Sequence, residues 1–237
     1  MLTKYLISMN NISLLTYTHS KCEDIHEVYF DRIKKFFTGL QHNYVTCDKL
    51  VKYAECIVYE NSSSHSNQMI NALDIIPTDY VIYSQEDYIL FDKVKEDKLV
   101  HFTEILDSNP KLSYIRLIQS GVGENNKEYN EDLMYVDRNG DYFYSTQVSV
   151  WRKSHLKKMF EFSRVSSIFE EPINSPFLKY MGGVGLYTKS RGKKVGGHYN
   201  SDVYPYIATA KVKGQWNIEE YQEEIQEIFK EYGYLQN

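Results

Sequence analysis

The sequence predicts an α/β fold built on a Rossmann-like, mainly parallel sheet flanked by helices. Between about residues 12 and 118, apolar β-prone segments alternate with amphipathic helical segments about four times, as parallel strands joined by helices do. A β-prone run from Tyr80 to Tyr83 stops at two acids, Glu86 and Asp87. Strands of an open α/β sheet present ligand sites at their carboxyl ends in this way. The 237 residues are 42% hydrophobic, which is enough for a substantial core.

The first half supplies the elements of this sheet. The helix predicted over residues 24–37 has Ile25, Tyr29 and Ile33 on one face, and Gly39 ends it. A serine of the 61–64 loop can cap the next helix, which ends before Pro77. The predicted strands are 12–17, 44–47, 56–59, 80–83 and 113–118, and the predicted helices are 24–37, about 64–76 and 96–106.

The second half is more irregular. We expect a strand over 142–150, a helix over 152–162, a fraying helix over 175–187 and a last strand within 196–212. The clearest helical periodicity follows Asn217, which forms a capping-box-like pair with Glu220. The chain is therefore expected to be one domain, 1–237. Its first half is 12–118, its second half is 119–216, and a C-terminal helix covers 217–233.

Composition argues against several classes of protein. The net charge is −5 and no long basic run is present, so nucleic acid is not an expected partner. The three cysteines have no CxxC spacing, which is typical of reduced thiols in a cytoplasmic protein. No secretory leader is recognisable, and no apolar run approaches the roughly 20 residues of a transmembrane segment. A cytoplasmic protein without a transmembrane segment is expected.

The glycine pairs do not form a dinucleotide-binding loop. Gly121 and Gly123, and the Gly182 to Gly185 segment, do not follow the first strand and do not complete GxGxxG before a helix. The first strand instead leads into Thr18-His19-Ser20 without a glycine. A nicotinamide dehydrogenase is therefore disfavoured, and neither GxSxG nor a phosphate-binding GK[S/T] motif is present.

The acids Glu86 and Asp87 are the strongest candidate site. Carboxylates are ligands of Mg²⁺ and Mn²⁺, and these ions often bridge to substrate phosphates. A solvated turn after a strand is the alternative interpretation, since charged residues are mostly exposed.

Several segments together resemble the GT-A-type glycosyltransferases that build bacterial surface polysaccharides and occur in some large viruses. They are Thr16 to Ser20, the acid pair, Tyr144 to Arg152, Phe169-Glu170-Glu171, and His198 to Asn217. The resemblance covers about residues 12–217. Gln85-Glu86-Asp87 stands where those enzymes usually have Asp-x-Asp. The resemblance implies a nucleotide-sugar half followed by an acceptor half.

The resemblance also implies roles for individual residues. The donor, a nucleotide-diphosphate sugar, would be bound by Thr16, Thr18, His19, Glu86 and Asp87. Asp87 and His198 would hold Mn²⁺ or Mg²⁺, whose charge neutralises the diphosphate. A glycan or glycoconjugate acceptor would be bound by Gln147, Trp151 and Arg152. Glu170 would be the general base, with Glu171 as the neighbouring alternative.

The expected function is therefore an inverting, metal-dependent glycosyltransferase. A retaining transferase on the same fold stays open, as does a carbohydrate-binding or scaffold protein that has lost its metal site. Structural interpretations also remain for single residues: His198 as a satisfied side chain, Trp151 as a core residue, Arg152 as a helix-start residue, and Glu170 with Glu171 as solvated acids.

Overall fold

The computed structural model describes residues 9–119, 127–138, 143–163, 182–189, 194–195 and 197–234. Their centre is an eight-stranded mixed sheet with the strand order β3-β2-β1-β4-β8-β6-β9-β7. The strands are β1 (Ile12–Tyr17), β2 (His42–Cys47), β3 (Glu55–Val58), β4 (Tyr80–Gln85), β6 (Leu112–Arg116), β7 (Leu133–Tyr135), β8 (Ser149–Arg152) and β9 (Val184–Thr188). The sheet takes strands from both halves of the chain, so β8 of the second half lies between β4 and β6 of the first.

The first four strands of the sheet are parallel. β1 pairs with β2 on one side and with β4 on the other, and β2 pairs with β3. Helices α1 (Glu23–Phe36), α2 (His65–Ile75) and α3 (Glu96–Ser108) connect or follow these strands. Ser64 caps α2 through its side chain, as the serine-rich loop predicted. The alternating strands and helices predicted for the first half are confirmed.

The other half of the sheet is mixed. β8 is antiparallel to β4 and to β6, whereas β9 is parallel to β6 and antiparallel to β7. Helix α4 (Lys153–Ser163) begins directly after β8, close to the predicted helix. Residues 184–188 form β9, so the helix predicted over 175–187 is wrong for this part. The valine, leucine and tyrosine side chains of β9 suit a strand that is buried between two neighbours.

Three two-stranded ribbons lie outside the main sheet. The antiparallel pairs are β5 (Ile89–Leu90) with β12 (Tyr206–Ile207), β10 (Lys194–Val195) with β11 (His198–Tyr199), and β13 (Lys211–Val212) with β14 (Gln215–Trp216). The single strand predicted within 196–212 is therefore three short strands that pair with different partners.

The C-terminal helix, α5 (Gln222–Tyr232), begins five residues later than the sequence indicated. The predicted pair of Asn217 and Glu220 is present, since Asn217 Nδ2 donates to the Glu220 carboxylate at 3.1 Å. It stabilises the turn before the helix, where the Tyr221 N–H donates to the Asn217 carbonyl. Gly233 ends the helix in the left-handed conformation, with φ of 72°.

Both faces of the sheet are covered. Alternate strand residues divide between two cores, so Leu14 packs with α1, α3 and α5, and Leu15 packs with α2 and α4. A cavity opens at the edge where β1 and β2 end. Among the described residues, no helix combines the length and apolar character needed to cross a membrane.

Candidate functional site

The candidate site lies where the path of the chain through the sheet reverses. From β1 the chain continues to β2 and β3 on one side, and it later returns to β4 on the other side of β1. Loops after β1 and β4 therefore diverge and leave a crevice at the carboxyl edge. Ligands of open α/β sheets bind at such a topological switch point. Tyr17 pairs with Gln85, so Thr18 and Glu86 leave the sheet side by side.

The acids at the end of β4 form the negative side of this crevice. Glu86 and Asp87 are partly exposed. Burial, followed by the charge of Glu86, raises the pKa of the Asp87 carboxyl to about 8. Burial, followed by a hydrogen bond with Glu86, raises the pKa of the Cys22 thiol to about 12. A carboxyl whose charge is disfavoured by burial and by a neighbouring carboxylate is one that a cation would stabilise.

The acid turn is held in place by residues from the end of the chain. The Ala210 N–H donates to the Asp87 carbonyl at 3.0 Å, and the Phe91 N–H donates to the Pro205 carbonyl at 3.0 Å. Between these contacts β5 pairs with β12. Backbone hydrogen bonds therefore fix both sides of the turn, one through β4 and the other through 205–210.

Gln147 lies in a buried hydrogen-bond network beside this turn. Its Oε1 accepts from the Tyr206 hydroxyl at 2.8 Å, and its Nε2 donates to the Tyr88 hydroxyl at 3.4 Å. Tyr88 follows Asp87 directly, and its hydroxyl is also 3.2 Å from that of Thr146. Gln147 is thus at the correct edge of the sheet, but both ends of its amide bind tyrosines of the protein.

The predicted donor residues after β1 differ in how accessible they are. Thr16 is fully buried, and its hydroxyl is 2.9 Å from that of Tyr29, so it supports the fold and has no surface for a donor. Thr18 is also buried, with its hydroxyl 2.8 Å from His26 Nε2. His19 is half-exposed, and its Nδ1 accepts from the Lys21 N–H. Of the three, His19 alone is open to a ligand.

Asp48, at the end of β2, was missed by the sequence prediction. The backbone N–H and the hydroxyl of Ser20 donate to its carboxylate at 2.6 and 2.8 Å. Burial alone would raise the pKa of Asp48, but these hydrogen bonds outweigh it and hold the pKa well below its usual range. Its signal in the sequence is an acid directly after the β-prone run 44–47. The same pattern, an acid where an apolar run stops, identified Glu86 and Asp87.

A cavity of about 260 Å³ opens beside Asp48 at the ends of β1 and β2. Ser20, Glu23 and His26 line it from one side, and the 49–53 loop lines it from the other. In that loop Tyr53 stacks on Phe30 with ring centroids 5.5 Å apart. The cavity offers an aromatic surface, lysines and hydrogen-bonding groups, which suits a nucleoside with an attached phosphate.

The acid pair alone does not supply a full set of metal ligands. Within the described ranges, no group of three or more His, Cys, Asp and Glu side chains is arranged to hold a metal ion. Mg²⁺ and Mn²⁺ are commonly bound through one or two carboxylates together with substrate phosphates. The oxygen donors of Glu86 and Asp87, and the raised pKa of Asp87, fit such a shared site.

His198, the second predicted ligand, lies in β11. The backbone N–H of its neighbour Tyr199 donates to the Gln119 carbonyl at 3.1 Å, just beyond the end of β6. β8 lies between β6 and β4 in the sheet, so His198 is at the same edge as Asp87 but two strands away. Its part in metal binding remains a prediction.

The structure corrects two acceptor assignments. Trp151 is fully buried in β8, against the rings of Tyr114 and Tyr144, so its ring offers no surface to a sugar. Arg152 pairs with Tyr80, the first residue of β4, and therefore lies at the opposite edge from Asp87. Its guanidinium donates to the Leu106 and Leu112 carbonyls. Both residues therefore stabilise the fold. Because β8 runs antiparallel to β4, its last residue, Arg152, lies beside the beginning of β4 and not beside Asp87.

The predicted base lies in a different part of the chain. Glu170 and its neighbour Glu171 are outside the described residues, as are Gly121 and Gly123. The role of Glu170 remains a prediction from the sequence.

Comparison with known proteins establishes the fold. No protein-family model matches the chain, and no curated protein matches it. Among solved structures, the chain is similar to a mannosyltransferase, PcManGT from Pyrobaculum calidifontis, in complex with GDP-Man and Mn²⁺. The TM-score is 0.53 at 9% identity, with 97% of this chain and 71% of that chain covered.

A second similar structure is CMP:2-keto-3-deoxy-manno-octonic acid synthetase complexed with CTP. Its TM-score is 0.51 at 10% identity, and 94% of this chain and 99% of that chain are covered. The chain thus has the α/β fold shared by GT-A-type glycosyltransferases and nucleotidyltransferases, with a central sheet flanked by helices. The predicted GT-A-like fold is confirmed.

Proposed function

We propose that this protein is a glycosyltransferase that uses a nucleotide-diphosphate sugar. The observation that carries the proposal is the position of Glu86 and Asp87 at the switch point of the sheet, on the same edge as the cavity at the ends of β1 and β2. A nucleoside in the cavity would direct its phosphates along the sheet edge toward the acids. The sugar would then lie beyond β4, on the side of the second half of the chain.

The nucleoside would be bound by the loops after β1 and β2. Tyr53 is held by its stack on Phe30, and the Lys52 ammonium lies 5.0 Å from its ring centre, so a base would contact the part of the ring that is 36% exposed. Asp48 is fixed by Ser20 in its charged form, and a carboxylate in this state accepts hydrogen bonds from a base or ribose. Lys49 and Lys52, also in the cavity wall, supply positive charge.

Glu86 and Asp87 would hold the diphosphate end through a divalent cation. Mn²⁺ or Mg²⁺, when bound, supplies the positive charge that stabilises a departing nucleoside diphosphate. The two carboxylates provide its oxygen ligands, and the 205–210 segment keeps the Asp87 backbone fixed. A bound cation would also oppose the effects of burial and of the Glu86 charge, which together raise the Asp87 pKa.

The proton of the acceptor hydroxyl would pass to Glu170, with inversion at the sugar carbon. The support for this step is the sequence resemblance, in which an acid follows an aromatic residue in the acceptor half. The carboxylates of the donor side bind the diphosphate, so the base has to come from another part of the chain. A glycan or other hydroxyl compound is the proposed acceptor.

Nucleotidyl transfer is the second candidate, because the CTP-bound synthetase has a TM-score close to that of the mannosyltransferase. A triphosphate brings more negative charge than a diphosphate sugar, and it needs correspondingly more cationic groups. The turn after β1, residues 18–22, contributes a single lysine, Lys21. Lys49 and Lys52 of the cavity wall add to this charge, so the products of turnover, and not the number of cations, separate the two donors.

A ligand screen tests the proposal. Thermal shifts would be measured with nucleotide sugars and with nucleoside triphosphates, each with and without Mn²⁺. A ligand at 100 times its Kd stabilises the folded protein by about 2.7 kcal/mol. We expect a nucleotide sugar to give such a shift in the presence of Mn²⁺, followed by slow release of nucleoside diphosphate.

The products distinguish the alternatives. Release of pyrophosphate from a triphosphate would show that the protein catalyses nucleotidyl transfer and not glycosyl transfer. Sugar binding without any nucleotide-dependent turnover would favour a non-catalytic carbohydrate-binding protein. The anomeric configuration of the transferred sugar, read by NMR, separates an inverting from a retaining enzyme.

A further inference from the structure

Lys211 crosses the crevice between the ends of β4 and β1. It follows Ala210, whose N–H donates to the Asp87 carbonyl at 3.0 Å, so its backbone is anchored beside the acid pair. Its ammonium group donates to the carboxylate of Asp24, in the first turn of α1. The side chain therefore reaches from the β4 side of the switch point to the helix that follows β1.

The position of Lys211 is fixed by the ribbon of β13 and β14. Its side chain is mostly buried, and the ammonium nitrogen lies 5.7 Å from the centre of the Trp216 ring. Trp216 packs in turn on Phe229 of α5, with ring centroids 5.3 Å apart. A cation held over an aromatic face in this way is oriented before any ligand arrives.

The surroundings of Lys211 are acidic. Asp24 binds its ammonium group, and Asp87, which follows Glu86, accepts from the adjacent Ala210 N–H through its backbone carbonyl. Asp24, the present partner of Lys211, is 64% exposed. An ion pair with so exposed a carboxylate is weak, and water can solvate Asp24 when the lysine leaves. Exchange of Asp24 for a stronger anion would therefore require little free energy.

We propose that Lys211 is a diphosphate-binding residue, which pairs with Asp24 in the free protein and turns to the phosphates when a nucleoside diphosphate or its sugar ester enters the crevice. This inference rests on the proposed function, because it requires the diphosphate to lie between β1 and β4. Lys211 would add a fixed cation to the charge supplied by a metal on Glu86 and Asp87. The ammonium would make charge-assisted hydrogen bonds to phosphate oxygens.

Isothermal titration with UDP, GDP, CDP and ADP in the presence of Mn²⁺ tests the assignment. Lys211→Met should weaken the best-bound nucleotide by about 10- to 100-fold, the range expected when a hydrogen bond to a charged group is lost. Lys213→Met is the matched control, because Lys213 is an exposed cation in the turn of the same ribbon. It should leave the affinity within about two-fold of wild type.

Asp24→Asn tests the exchange without removing the lysine, so the answer does not depend on whether Lys211→Met folds. Removing the competing carboxylate should leave nucleotide affinity unchanged or increase it. Weakening by Asp24→Asn, or equal affinities of Lys211→Met and Lys213→Met, would overturn the role of Lys211 while leaving nucleotide binding by the wild type intact. If wild type binds none of the four diphosphates, both this inference and the proposed function fail.

Discussion

The Tyr206 hydroxyl donates a hydrogen bond of 2.8 Å to the Gln147 side-chain oxygen, and this contact joins two segments that are 59 residues apart. Both groups are buried. Through the Gln147 amide the contact extends to Tyr88, the residue after the acid pair. The edge of the sheet at which β4 ends is therefore connected to the last third of the chain through side chains as well as through the β5–β12 ribbon.

Tyr206→Phe is expected to destabilise the fold by about 1–3 kcal/mol, since it leaves a buried amide oxygen without this donor. Urea unfolding measures the change. Tyr234→Phe is the control, because Tyr234 is an exposed tyrosine near the C-terminus. Equal stabilities of the two variants would show that the contact contributes little to the folded state.

Asp87→Ala is expected to abolish Mn²⁺-dependent binding of the nucleotide donor, because it removes the carboxylate at the end of β4. Titration calorimetry with a nucleoside diphosphate, with and without Mn²⁺, measures this. The variant should still fold, because the Asp87 backbone carbonyl, which accepts from Ala210, is retained. Unchanged metal-dependent affinity would remove Asp87 from the site.

Glu170→Gln is expected to lower kcat by about 10²- to 10⁴-fold with donor affinity nearly unchanged, which is the usual effect of removing a positioned general base. The amide keeps the shape of the side chain and cannot accept the proton. Steady-state transfer kinetics test it, and Glu171→Gln is the neighbouring control. Near wild-type kcat in Glu170→Gln would exclude the role.

Glu231→Gln is expected to destabilise the protein by about 1–3 kcal/mol, a range reduced from that of a fully buried pair because Glu231 is partly exposed. Its partner, Arg32, is almost fully buried, and the Arg32–Glu231 contact of 2.5 Å ties α5 to α1. Glu227→Gln is the control, because Glu227 is an exposed acid on the same helix, and it should change stability little.

Chain truncation before Asn217, which also removes the buried Ile225 and Ile228, should lower the stability more than Glu231→Gln does. A truncated protein with an unchanged Tm would make α5 a peripheral arm.

Acidification is expected to destabilise the protein partly through His65. Burial lowers the folded-state pKa of His65 to about 4, against 6.5 for an ordinary histidine. The unfolded chain therefore binds more protons between these values, so the contribution is fully present above about pH 6.5 and is lost as pH falls toward 4. The loss should be about 2 kcal/mol at pH 4.5. His65→Leu should show a correspondingly smaller difference between urea unfolding at pH 7 and at pH 4.5; an identical pH dependence would contradict the assignment.

The local elements of the first half and the acid pair could be predicted from the sequence, because both depend on short-range patterns. The periodicity of Ile25, Tyr29 and Ile33 defines the buried face of α1 whatever it packs against. The abrupt end of an apolar run at Glu86 and Asp87 marks the end of a buried strand in the same local way. The fold class follows from how these elements alternate.

What the tertiary structure alone decided is which distant segments meet. The antiparallel insertion of β8 between β4 and β6 buries Trp151 and carries Arg152 to the far edge, and no local pattern specifies a neighbour in a sheet. Lys211 meets Asp24 across 187 residues of sequence. Such contacts depend on the packing of the whole chain, whereas periodicity reports only which face of a segment is buried. The sequence determined the elements and the acids at the sheet edge, and packing determined which side chains surround them.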